Sequence, residues 1–177
     1  MASTLEIDDR ILVNRLVPAL VPIERGDIVV FRDTAGWVEH SGGELGSPQP
    51  DRPGLVAGAL QGVGLLPEEG LDFLVKRVVG KGGDRVVCCD AQRRVLVNGV
   101  PLAEDYLLRS EVPGSTPDVA YDVTVPEGSL WVLGDNRGNS ADSRSHRSLP
   151  SGGFVAERDV VGRAFMRTWP LERVGWL

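Results

Sequence analysis

Three segments of the chain, ERGDIVVF (24–31), GKGGDRVV (80–87) and PEGSLWVL (126–133), are built alike: a glycine-bearing turn runs straight into β-branched or aromatic residues. Glycine supplies the permissive backbone of a tight turn, and Val, Ile and Trp suit the pleated surface of a strand. A chain that repeats this device is committed to short strands joined by turns. VLVNGVPL at 95–102 adds a hairpin signal, because Asn98-Gly99 between apolar runs predicts a type I′ turn. Further strands are predicted over 10–16, 72–79, 119–125 and 160–168. Helical periodicity is unconvincing outside the middle of the chain. The dispersed 22 glycines and 12 prolines agree with an all-β reading.

Residues 33–70 differ. GGELGSPQPDRPG is rich in breakers, and the apolar stretch after it suits a short helix. The segment is too small for a core of its own, so it reads as an insertion on the β core and 1–177 as one domain. RSEVPGSTPD (109–118) reads as an exposed loop. The run LVAGALQGVGLL at 55–66 is too short to span a bilayer.

Nineteen Lys and Arg against 25 Asp and Glu leave a net charge of -6, with no basic cluster, which argues against a nucleic-acid partner. The two cysteines are neighbours, Cys88 and Cys89. Adjacent strand residues point to opposite faces, so a disulfide between them is not expected. They also lack zinc-site spacing.

Two stretches carry chemistry. In DFLVKRVV (72–79), alternation puts Leu74, Lys76 and Val78 on one face and Phe73, Val75, Arg77 and Val79 on the other. Either the strand is an edge whose long cations snorkel to water, or Lys76 is desolvated. A desolvated lysine has a lowered pKa and serves as a general base, which arginine cannot do. In WVLGDNRGNSADSR (131–144), a hydrophobic strand ends in a run of Asp, Asn, Ser and Arg. It reads as a solvated turn, or as a fixed network in which Asp142 and Arg144 pair bidentately and Ser140 orients a neighbouring amine. GKGGD lacks phosphate-loop spacing. His40 and His146 lack companions for a metal site, and no GxSxG elbow supports a triad through His146.

These segments resemble the type I signal peptidases, in the family's order and across nearly the whole chain. TLEIDDRILVNRL is similar to the stretch just after the family's nucleophile, RGDIVVF to its next signature strand, and VKRVVGKGGDRV to the segment carrying its general-base lysine. GDNRGNSADSR matches its most characteristic motif almost letter for letter, and VVGRAFMRTWPLERVG resembles its closing strand. The insertion and loops have an actinobacterial flavour. The resemblance implies an antiparallel β-sheet or barrel core and a Ser/Lys-dyad serine protease that removes signal peptides. It implies neither metal nor cofactor. Lys76 would be the general base and Ser140 would fix its rotamer. Asp142 and Arg144 would hold the loop, which Asp135 and Asn136 open.

The family's nucleophile lies in a Ser-Met-x-Pro-Thr-Leu box, which here reads Met1-Ala2-Ser3-Thr4-Leu5. Alignment on Met1, Thr4 and Leu5 places the catalytic serine one position before Met1, so the expectation is a chain cut just after its nucleophile, without the family's membrane helix. Ser3 stands in place of a proline, Asp8 of a glycine and Gly82 of a proline. Ser3 as a substitute nucleophile sits about 10 Å out of place along an extended chain. By the same resemblance, a signal peptide would add as an extended strand, its small side chains entering pockets lined by Met1, Leu5, Ile11, Leu74 and Val75. Trp169, Trp176 and the insertion are candidates for contact with a membrane surface, expected to be the extracytoplasmic face of the plasma membrane. The alternative is a non-catalytic relative that binds exported peptides or helps assemble surface structures.

Overall fold

The computed structural model describes residues 1, 4–38, 72–107 and 120–177. Most of the 33–70 insertion, the 109–118 loop, His40 and Ser3 lie outside the described residues. Strands β1 (Arg10–Asn14), β2 (Ile28–Arg32), β3 (Phe73–Lys81), β4 (Arg85–Cys88), β5 (Val95–Val97) and β6 (Val100–Pro101) are followed by β7 (Tyr121–Thr124), β8 (Ser129–Leu133), β9 (Val155–Ala156), β10 (Val160–Trp169) and β11 (Gly175–Trp176). Single 3₁₀ turns flank β10 at Glu157–Asp159 and Leu171–Arg173. The fold is all-β, as the sequence predicts.

Two antiparallel sheets form. The larger runs β1-β10-β2-β3-β8-β9, with β11 added to β10, and the smaller runs β6-β5-β4-β7. The predicted hairpin joins β5 to β6, and Asn98 and Gly99 both take positive φ, 54° and 79°, as a type I′ turn requires. β9 and β11, two residues each, carry no sequence pattern long enough to read.

The buried apolar residues form two clusters, the second shared between the sheets. Val17, Val29, Phe31, Trp37, Val78, Leu130 and Val132 pack together in the first cluster, and Val79, Val86, Val97, Tyr121, Val125 and Trp131 in the second. The neighbours Val78 and Val79 therefore face different clusters, as strand alternation demands. At Gly80 a Cβ would collide with Val86 and crowd Val125, so glycine lets β3 cross close beside the smaller sheet.

One expectation fails. Cys88 and Cys89 form a disulfide. The alternation argument applies to two residues within a trans strand. Here β4 ends at Cys88, and the Cys88–Cys89 peptide is cis with Cα atoms 3.0 Å apart, so the two sulfurs meet. Three apolar residues near the amino end are not buried. Ile7, Leu12 and Leu16 remain exposed.

Candidate active site

β3 lies between β2 and β8 in the larger sheet, so the edge-strand reading of its cations does not hold. Arg77 is buried, 8% exposed, and its guanidinium is fully used. Nε and Nη2 donate to the two Asp135 oxygens at 2.8 and 2.7 Å, and Nη1 donates to the Gly26 carbonyl at 2.8 Å. Lys76 is its opposite. It is half-buried and has neither hydrogen bond nor ion pair to any described residue. Burial holds its pKa below the ordinary lysine value; Asp142 pulls it up, and Arg144 pushes it down. A half-buried, unclaimed amine is what a general base requires.

The 134–144 run is a fixed network rather than a solvated turn. Asp142 is fully buried and accepts from Arg144 Nε at 2.9 Å and Nη2 at 2.8 Å, the bidentate pair expected from sequence. It also accepts the Gly134 N–H at 3.0 Å, which ties the loop's far limb to the end of β8. Burial works to raise the Asp142 pKa, but the hydrogen bonds and charge of Arg144 outweigh it and hold the carboxyl below its usual range. Arg144 Nη2 also donates to the Arg137 carbonyl at 2.9 Å, and the Asn136 side-chain oxygen accepts the Asn139 N–H at 3.0 Å. The Ser143 hydroxyl accepts the Val132 N–H at 2.9 Å. The Ser140 hydroxyl oxygen is buried close to the Asp142 carboxylate, whose pKa it helps hold down, and it makes no hydrogen bond to Lys76. It packs so close to Gly134 that a Cβ there would overlap it.

The N-terminal turn completes the site. The Met1 carbonyl accepts the N–H groups of Thr4 at 3.1 Å and Leu5 at 2.8 Å. The Thr4 hydroxyl donates to Asp135, and Arg167 Nη1 donates to the Thr4 carbonyl at 2.6 Å. The Met1 nitrogen is thereby held half-buried and within reach of the charges of Lys76, Asp135 and Asp142. Burial, then Lys76, push that amine's pKa down, and the two aspartates oppose them.

Residues 1–169 match the family described as "Signal peptidase, peptidase S26". The chain belongs to this family. It is 36% identical over 180 residues to signal peptidase I of Mycobacterium tuberculosis, a match covering 96% of this chain and 60% of the relative. It is 33% identical over 178 residues to signal peptidase I of Leptolyngbya laminosa, covering all of this chain and 68% of that one. A solved signal peptidase I of Enterococcus faecalis is 26% identical and covers 80% of this chain and 95% of its own, with a TM-score of 0.48. The chain thus spans about three fifths of the length of the mycobacterial signal peptidase.

Of the signal-peptidase residues expected from sequence, Lys76, Asp135, Asp142, Arg144 and the Met1 turn meet in one neighbourhood. Met1, Leu5, Ile11, Leu74 and Val75 are all half-buried. Leu74 and Val75 point to opposite faces of β3, and β10 and β2 lie between Ile11 and that strand. Sequence reasoning missed Thr4 and the Arg77–Asp135 pair, because a cation's partner 58 positions away leaves no local signal. His146, weighed from sequence only as a metal ligand or triad member, instead stacks its ring on Trp37 at 4.4 Å and places Nδ1 2.8 Å from the Asp142 carbonyl. Among the described residues no helix is long and apolar enough to cross a membrane.

Proposed function

We propose that this chain is the catalytic domain of a membrane-associated serine endopeptidase that removes signal peptides from exported proteins at the extracytoplasmic face. Its nucleophile is a serine joined to the amino side of Met1. The serine oxygen attacks the scissile carbonyl while the neutral Lys76 amine takes its proton and passes it to the departing amine. Water activated by Lys76 then hydrolyses the acyl-enzyme. Ser140 would orient Lys76 through a hydrogen bond that this structure does not show, and the Asp142–Arg144 pair holds the loop that carries Ser140. The substrate lies extended, with small side chains against Met1, Leu5 and Leu74, the last on the Lys76 face of β3; Val75 on the opposite face and Ile11 on β1 lie off this path.

One observation carries this reading: a half-buried Lys76 that makes no hydrogen bond or ion pair to any described residue, its charge felt at the Met1 nitrogen, where a preceding residue would attach. The test compares two proteins on a fluorogenic signal-peptide substrate from pH 6 to 10. One is the chain as it stands and the other carries Ser before Met1 with a short apolar lead. Only the second should cleave, its activity should rise along a limb with a midpoint below 10.5, the ordinary lysine value, and Lys76→Ala should abolish it. If both cleave alike, Ser3 is the nucleophile and the assignment is wrong. If neither cleaves while folded, the non-catalytic peptide-binding reading replaces it.

A further inference from the structure

Glu104 and Tyr106 leave the smaller sheet after β6 and end up against the catalytic loop, and nothing in the dyad chemistry uses them. The Glu104 side chain is 7% exposed and ion-paired with Arg137, itself 8% exposed. Tyr106 donates its hydroxyl hydrogen to Glu104 at 3.0 Å and accepts from Arg137 Nη2 at 3.3 Å, so its one donor and one acceptor are both engaged. Arg137 Nε donates to the Gly134 carbonyl at 3.1 Å, the residue against which Ser140 packs. The face of the Tyr106 ring lies 4.0 Å from the Arg77 guanidinium. Arg77 follows Lys76 in the chain, and its other side grips Asp135, which holds Thr4 and the N-terminal turn.

From this connectivity we infer that Glu104 and Tyr106 are positioning residues. They form a strap that fixes the Arg77–Asp135 pair, and through it the Met1–Leu5 turn, relative to Lys76. The inference rests on the proposed reaction for its catalytic consequence, but not for its structural one. A guanidinium–carboxylate pair removed from water keeps its geometry only while its remaining surface is covered, and an aromatic face covers a guanidinium with net attraction. Without the ring, water reaches Arg77 and competes for Asp135. The Thr4 anchor then loosens, and the nucleophile's distance from Lys76 is no longer fixed. Binding of an extended substrate along the sheet does not need that distance, whereas proton transfer does.

Two variants separate this from a general loss of packing. Tyr106→Leu removes the face over Arg77, and Tyr106→Phe keeps the face while losing only the hydroxyl. Amide hydrogen exchange on the chain as it stands is the first readout. In Tyr106→Leu the Leu5 amide, bonded to the Met1 carbonyl, and the Gly134 amide, bonded to Asp142, should exchange about tenfold faster, while Val86 and Val97 in the smaller sheet keep their rates. Tyr106→Phe should restore slow exchange at both. Unchanged exchange at Leu5 and Gly134, or equal loosening of the smaller sheet, overturns the inference whether or not the protein is a peptidase. In the serine-bearing form, kcat per folded molecule should fall at least about tenfold in Tyr106→Leu with KM within about twofold, and Phe should recover most of it. An active parent whose kcat is insensitive to Tyr106→Leu also overturns it, whereas an inactive parent counts against the peptidase reading and leaves the exchange result to decide the strap.

Discussion

Asp8 occupies a left-handed backbone position, φ 70°, in the exposed turn before β1. A side chain at such a φ crowds its own carbonyl, and Asp tolerates it better than most residues but less well than glycine. Glycine takes this conformation without that crowding, and this chain holds it with an aspartate. Asp8→Gly should raise stability by about 0.5–1 kcal/mol, with Asp8→Val lowering it by more, read from denaturant midpoints at constant slope. A destabilised Asp8→Gly would mean that the carboxylate itself holds the turn.

At the scale of elements, the turn between β3 and β4 is locked by one carboxylate. Asp84 accepts from Arg25 Nε at 2.7 Å, from Asn98 Nδ2 at 2.9 Å and from the Lys81 N–H at 2.9 Å, so it joins the β2 entry, the β3–β4 turn and the β5–β6 hairpin. The Arg25 hydrogen bond is the main cause that brings its pKa from 3.8 down to about 2, against the opposing effect of burial. A depressed folded-state pKa contributes stability above the unfolded value and loses it as pH falls through the folded one. Asp84→Asn should thus be less stable at pH 7 by about 1–2 kcal/mol, given a half-exposed Arg25, and its deficit should close between pH 4 and 2 in thermal melts. A deficit that persists unchanged at pH 2 would assign the loss to packing. This junction also shows what the sequence could reveal. The glycine turns and strand runs were readable because their causes are local. Lys76 was readable because a lysine in an apolar strand is itself an anomaly. The three-way grip of Asp84, the Arg77–Asp135 pair and the Cys88–Cys89 bond were not, since each depends on where distant segments or one peptide bond's geometry bring side chains together.

For the molecule as a whole, charge and exposed apolar surface decide how it would meet a membrane. The chain carries a net charge of -6, which disfavours an anionic surface. Yet the end of β10 and the segment after it expose Trp169, Leu171, Val174 and Trp176, the last at 78%. The arginines beside this patch are occupied: Arg10 sits 6.0 Å over the Trp169 ring, Arg173 pairs with Glu6 and Asp9, and Arg167 reaches Asp9 at 3.9 Å. Contact through this patch would therefore be apolar and interfacial rather than electrostatic, the setting that tryptophan favours. Trp37 and Trp131 are buried, so emission changes on adding lipid report Trp169 and Trp176. Zwitterionic phosphatidylcholine vesicles should shift that emission to the blue, with binding unchanged by added salt, because screening acts on charges and not on apolar transfer. Trp169→Ala with Trp176→Ala should weaken partitioning by at least about tenfold, some 1.4 kcal/mol. Binding that prefers anionic vesicles and fades with salt would place the contact elsewhere on the surface. Binding that survives loss of both tryptophans would do the same.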